Sequence, residues 1–162
     1  MEWHARHDRG HSVAQSCAEL AVAHPDQAEL IRAWGSRSEE MVAGPIEGSV
    51  EILRELREAG VRCYALTNME RETYPRRLAR YPFLSWFDGT VVSGFEGVVK
   101  PEPEIFERLL RRFNLRPATT VLIDDNEANV EAARSLGMPA VRFRSPGQLR
   151  AELERMGLLT GR

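Results

Sequence analysis

The stretch VLIDDNEANV, residues 121–130, runs three apolar residues into two adjacent acids, Asp124 and Asp125, with Asn129 just beyond. A Val, Leu and Ile run of this length reads as a strand buried on both faces. Two like charges at its end repel each other and are costly if buried unpaired. A divalent cation, the N–H donors of a helix N-terminus or a nearby ammonium would offset that cost. Capping is the bland account, since Asp125 and Asn126 fall where the next helix begins. It satisfies one acid and leaves Asp124, whose strand position aims it at a sheet edge. Hard oxygen ligands of this type suit Mg²⁺, which keeps several waters and takes one or two carboxylates plus a substrate phosphate.

Outward from that stretch, strands and amphipathic helices alternate. Residues 49–59 carry Val50, Leu53 and Leu56 on one helical face and stop at Gly60. Strands are expected at 61–66, 87–93, 119–123 and 140–143, and helices at 71–81, 103–113, 127–136 and 148–156. This pattern predicts an α/β fold, an open parallel sheet covered by helices on both faces. In such sheets ligands bind at the carboxyl ends of the strands, which singles out Thr67 and Asn68 after one strand and Asp124 and Asp125 after another. Residues 12–42 differ: helical spacing with breaks at His24-Pro25 and Gly35-Ser36 predicts two or three short helices and no strand. The chain divides accordingly into residues 1–44 and residues 45–162.

Composition narrows the partners. The 162 residues carry a net charge of −2 and a sequence pI of about 6.1, which gives no electrostatic reason to expect nucleic acid or an anionic membrane. No apolar run is long enough to span a bilayer, and MEWHARHDRG lacks the apolar core of a signal peptide. The expectation is a soluble cytoplasmic protein acting on small polar molecules. Cys17 and Cys63 have no C-x-x-C spacing and read as small core residues.

Lys100 sharpens the chemistry. It ends the run GVVK and is followed by Pro101 and Pro103, which hold its backbone extended at the mouth of a helix. A hydroxyl (Thr67), an amide (Asn68), an ammonium (Lys100) and a carboxylate pair, each at the end of a sheet element, make a receptor for a phosphate and its Mg²⁺.

Three segments carry a family resemblance: ALTN at 65–68, GVVKPEPEIFERLL at 97–110 and VLIDDNEANVEAARSLGM at 121–138. In order and spacing they resemble the second, third and fourth motifs of the haloacid dehalogenase-like (HAD) hydrolases. The resemblance implies a Rossmann-like parallel sheet with a small helical cap, the cap being residues 1–44. It implies that Thr67 binds the transferring phosphoryl oxygens, Asn68 shapes the pocket, and Lys100 neutralises the phosphate and the nucleophile. Asp124 is then a Mg²⁺ ligand, Asp125 a second ligand or outer-shell partner, and Asn129 a supporting hydrogen bonder. The substrate implied is a small phosphorylated metabolite, attacked to give an aspartyl-phosphate.

The first motif of that family, an apolar strand ending D-x-D or D-x-G, has no counterpart. Asp8 in HARHDRGHS has no apolar run before it, and Asp88 in WFDGT precedes its strand. The expectation is therefore an N-terminally truncated phosphatase, inactive as written, whose missing strand belongs between those ending at Thr67 and Asp124. Two readings stand beside it: a metal-independent 2-haloacid dehalogenase, disfavoured by IDDNEAN where that group resembles S-S-N-x-x-D, and a non-catalytic module that keeps the phosphate pocket and pairs as a homodimer over its open edges.

Other features read as structure. His4, His7 and His11 have helical spacing for a shared face, which Gly10 weakens, and Trp3, His4 or His7 could face a substrate from the cap. The arginines at 76, 77, 80, 108, 111, 112 and 116 are expected on solvated helix faces, and Trp34, Phe83, Trp86 and Phe106 in packing.

Overall fold

The computed structural model describes residues 6–160. Apolar periodicity and caps set its helices. Helix α1 (Val13–Ala23) begins at Ser12, whose hydroxyl accepts from the Gln15 N–H, and buries Val13, Cys17 and Ala21. It packs on α2 (Ala28–Arg37) after a short 3₁₀ turn at Pro25–Gln27. The break expected at Gly35-Ser36 is absent, because α2 runs through to Arg37. A Cβ on Gly35 would lie 2.9 Å from Cys17 Sγ, so the glycine serves close helix approach and not termination.

From α3 (Glu47–Glu58) onward the expected alternation is present: β1 (Tyr64–Thr67), α4 (Thr73–Arg80), β2 (Gly89–Val92), α5 (Ser93–Glu96), α6 (Pro103–Arg112), β3 (Leu122–Asp124), α7 (Glu127–Ser135), β4 (Ala140–Arg142) and α8 (Pro146–Arg155). The strands are shorter than their apolar runs. β1 starts at Tyr64 because the Asp88 carboxylate accepts from the Cys63 N–H at 2.8 Å and the Asp88 N–H donates to the Cys63 carbonyl at 2.7 Å. Asp88 is thus a clamp at the start of the β1–β2 pair. β2 stops at Val92, where Ser93 turns the chain into α5.

Both strand pairings are parallel. β1 pairs with β2, matching Thr67 to Val92, and β3 pairs with β4, matching Asp124 to Arg142. Helices cover two faces. On one, α6 and α7 pack Ile105, Phe106, Leu109 and Ala133 against Val91 and Leu122. On the other, α3 and α8 pack Ile52, Leu56, Leu149 and Leu153 against Val141. This is the Rossmann-like α/β architecture the pattern predicts.

Among the described residues no backbone ladder joins the two pairs. β1 and β3 each have one edge without a strand partner, all four residues of β1 are only half-buried, and Ile123 in the middle of β3 is 38% exposed. Interior strands of parallel sheets are normally buried on both faces, and β1 and β3 are more exposed than that. The shared cluster around Val91 and Leu122 holds the halves together on one face.

The histidine ladder does not form among the described residues. Residues 6–8 are helical, but the chain turns at Gly10, leaving His11 exposed while His7 is fully buried and stacks on Trp34 with ring centroids 6.1 Å apart. Trp3 and His4 lie outside the described residues. Cys17 is buried as expected, and Cys63 only partly so. Phe106 is fully buried in the core, and Phe83 packs against Trp86 with ring centroids 6.4 Å apart. Arg108 is less free than a solvated face implies: it bonds Glu96, at both carbonyl and carboxylate, and Glu104.

Candidate active site at the carboxyl ends of the strands

Parallel pairing puts the ends of β1 and β2 together, and a chain of hydrogen bonds through Asn68, Lys100, Asp124 and Asn129 ties the loop after β1 to the end of β3. Asn68, the first residue after β1, donates from Nδ2 to the Lys100 carbonyl at 2.9 Å and accepts from the Lys100 N–H through Oδ1 at 2.8 Å. Lys100 in turn reaches Asp124 at the end of β3, with Nζ 2.6 Å from Oδ2. The two side chains are 11% and 5% exposed, so this is a buried ion pair. Asp124 Oδ1 accepts from the Asn126 N–H and from Asn129 Nδ2, both at 2.9 Å. Every charge in the chain therefore meets an opposite charge or a donor, the condition under which a buried pair is tolerated.

That geometry answers what holds the two acids. Asp124 is held by an ammonium, a backbone N–H and an amide. Asp125 is not the helix cap: Asn126 occupies the N-cap of α7 and accepts from the Ala128 N–H at 2.9 Å. The Asp125 side chain is exposed, and its backbone carbonyl accepts from Arg142 Nε at 3.3 Å.

Thr67 ends β1 immediately before Asn68 and is half-buried; its hydroxyl donates to nothing among the described residues. Asn129 is 6% exposed and its Oδ1 has no donor, leaving one buried acceptor beside the Asp124 carboxylate. The structure thus brings Asn68, Lys100, Asp124 and Asn129 into direct contact and sets Thr67 and Asp125 beside them in the chain.

Sequence reasoning passed over Ser93. It is fully buried at the start of α5, where its hydroxyl accepts from the Met69 N–H at 3.0 Å and braces the loop after β1. Gly94 adds a bond from its N–H to the Met69 carbonyl at 3.1 Å. A Cβ on Gly94 would sit 2.4 Å from the Arg71 backbone nitrogen, so only glycine fits this crossing. The available signal was the Ser-Gly pair closing the strand expected at 87–93.

A metal centre is incomplete here, for among the described residues no group of three or more His, Cys, Asp or Glu side chains converges. The donors still suit Mg²⁺: the free Asp125 carboxylate and the orphaned Asn129 oxygen are hard oxygens lacking donors, and Mg²⁺ takes few protein ligands, completing its shell with water and phosphate. No helix among the described residues is long and apolar enough to cross a membrane.

Known proteins resemble the chain in sequence and in fold. The chain is 34% identical over 87 residues to a sesquiterpene phosphatase of Aspergillus oryzae, covering 54% of this chain and 44% of the relative. It is 29% identical over 100 residues to a glyceraldehyde 3-phosphate phosphatase of Pyrococcus abyssi, covering 61% and 42%. The chain thus spans less than half the length of either relative. Its fold matches that of a HAD family enzyme of Bacteroides thetaiotaomicron, an aspartate-to-alanine mutant in complex with magnesium and inorganic phosphate, with a TM-score of 0.69 at 24% identity, over 86% of this chain and 74% of that one. A family model for the haloacid dehalogenase-like hydrolases matches residues 3–137, and the chain belongs to that family.

Proposed function

We propose that the chain carries the phosphate-binding and charge-neutralising part of a Mg²⁺-dependent phosphatase for a small phosphorylated metabolite. The observation that carries this reading is the buried Lys100 ammonium, fixed 2.6 Å from Asp124 at the strand edge shared with Thr67. An ammonium has three N–H donors and Asp124 takes one, so two are left for phosphoryl oxygens. The uncommitted Thr67 hydroxyl supplies a further donor. An ammonium and a hydroxyl are the donors this chemistry calls for, because phosphoryl transfer depends on positioning and neutralisation of oxygen charge. The phosphatases among the relatives support the same substrate class.

Asp125 is assigned as the carboxylate that would hold Mg²⁺, with Asp124 as the adjoining acid. When bound, the ion neutralises charge on the phosphoryl oxygens. Asn129 keeps Asp124 oriented toward Lys100. Residues up to 44 form the cap over this edge in the reading, and residues 45–162 the catalytic core.

The aspartyl-phosphate route also needs a nucleophilic carboxylate on a strand facing Lys100. In the core, Asp88 is spent on Cys63 and Asp124 on Lys100, so neither serves. The open edges of β1 and β3 are where such a strand pairs in this reading. In the transfer, a carboxylate oxygen bonds to phosphorus as the ester P–O bond breaks and the departing alkoxide takes a proton; water then hydrolyses the acyl phosphate. The test compares the 162-residue chain with an N-terminally extended form that supplies an aspartate-bearing strand, using p-nitrophenyl phosphate with and without Mg²⁺. The extended form turns over substrate with Mg²⁺ and the short form does not. Equal turnover by the short form removes the need for the added strand, and no Mg²⁺-dependent turnover by the extended form ends the phosphatase reading.

A further inference from the structure

Of the 22 Lys and Arg residues of the chain, Lys100 is the single lysine. Every other cation is a guanidinium, whose wide planar fork suits carboxylate pairs on the surface; an ammonium is a compact point charge on a flexible stem. A flexible stem aims its charge only if its backbone is fixed. The backbone of Lys100 lies in a loop between α5 and α6, outside any ladder.

We infer that Asn68 is a positioning residue for Lys100 and does not itself contact the phosphoryl group. This rests on the phosphate-site reading above for its functional meaning, and on geometry for its physical content. The Asn68 carboxamide has one oxygen and one NH₂, and Lys100 engages both, its N–H bonding Oδ1 and its carbonyl accepting from Nδ2. The two bonds form a closed ring between residues 32 apart in sequence, the arrangement a β-ladder would give. The ring fixes both the position and the orientation of the Lys100 peptide. From there the side chain reaches Asp124 on β3, so the link runs from β1 through Lys100 to β3 across two strand pairs that share no ladder. Asn68 is in turn followed by Met69, whose N–H and carbonyl are held by Ser93 and Gly94. The clamp is therefore anchored on both β1 and β2. A residue committed this way has one Nδ2 hydrogen left, a single neutral donor beside an ammonium with two N–H donors to spare and a hydroxyl unpartnered among the described residues, and the charged group is the stronger ligand for an anion.

The test uses the single lysine as a reporter. Protein labelled with ¹³Cε-lysine gives one lysine signal, recorded first without any ligand. In the wild type this signal stands apart from that of free lysine, and Asp124→Asn, which weakens the ion pair, moves it. Asn68→Ala moves it as well in the ligand-free protein, toward the free-lysine position. Asn68→Asp, which keeps an acceptor for the Lys100 N–H but sets a carboxylate oxygen against the Lys100 carbonyl, moves it too. A Lys100 signal unchanged in both Asn68 variants overturns the inference. The wild type supplies a check that needs no variant: the Asn68 side-chain NH₂ exchanges slowly with solvent before any ligand is added, and fast exchange overturns the inference equally. Inorganic phosphate with Mg²⁺ is then titrated in. It shifts Lys100 and leaves the Asn68 NH₂ in place, and Asn68→Ala weakens phosphate binding by about tenfold, the loss of one or two hydrogen bonds. A phosphate shift centred on the Asn68 NH₂ makes Asn68 a direct ligand and overturns positioning. No response of Lys100 to phosphate counts against the phosphate site alone, because the ligand-free spectra judge the clamp independently.

Discussion

The β1–β2 pair and the β3–β4 pair bring opposite chemistry to the same edge. The first ends in neutral groups, Thr67, Asn68 and Ser93, bound into a backbone frame by Met69 and Gly94. The second ends in charge, Asp124 and Asp125, supported by Asn129. Lys100 belongs to neither pair and touches both, through its peptide on one side and its ammonium on the other. The difference teaches a division of labour: one half holds the frame and the other sets the field, and a single cation couples them. Damage to the charged half should therefore show as lost stability when a partner is removed, and damage to the neutral half as lost shape.

The comparison breaks most clearly at Asp124. Asp124→Ala leaves the Lys100 ammonium buried without a partner, and urea denaturation should show a loss of about 3–5 kcal/mol. A loss near zero would mean that the ammonium finds water and that the halves are not coupled through it. The neutral half is probed at Gly94, where an added Cβ meets the Arg71 nitrogen at 2.4 Å and the Met69 carbonyl oxygen at 2.7 Å. Gly94→Ala should cost about 1–3 kcal/mol by the same measurement and broaden the amide signals of residues 68–71. The smallest effect on stability belongs to Asp125→Asn, an exposed substitution expected within about 0.5 kcal/mol. If Mg²⁺ binds as proposed and stabilises the wild type in a thermal melt, Asp125→Asn should abolish that stabilisation, and a Mg²⁺ response equal to that of the wild type would move the proposed ligand role to Asp124.

Much of this was legible in the chain itself, for identifiable reasons. The apolar run before Asp124, the stop at Gly60 and the stripe of Ile105, Phe106 and Leu109 are local signals, and each produced the expected element. Thr67 and Asp124 could be singled out because ligands of parallel sheets bind at the carboxyl ends of the strands, whereas Lys100, expected at the end of a sheet element, lies in the loop before α6 and reaches Asp124 through its side chain. What the sequence hid was pairing across distance. Nothing within a few residues of Asn68 shows that both arms of its amide are spent on a residue 32 positions on. Gly35 read as a helix stop because its real partner, Cys17, lies on another helix. The choice between Asp125 and Asn126 as cap is one of backbone angle, and Asn126 won because the Asp124 carboxylate takes its N–H and sets the turn. Ser93 was missed because a buried hydroxyl and a loop hydroxyl have the same letter.

The crossing at Gly94 has a consequence for which sequences this fold can visit. A Cβ on Gly10 would lie 2.4 Å from the Gly94 carbonyl oxygen, and one on Gly94 would strike the backbone of residues 69–71. Three lengths of main chain meet there, the turn at residue 10, the start of α5 and the loop after β1, with the Arg71 side chain alongside donating from Nε to the Gly94 carbonyl. Neither glycine can be exchanged and then rescued by trimming a neighbour, since the nearest neighbour of each is already backbone. Change at this point is open only to substitutions that move whole segments together, so the joint between the N-terminal helices and the strand edge is confined to a narrow passage in sequence space, while the helix surfaces around it, with Val22 and Leu30 bare to solvent, are free to drift.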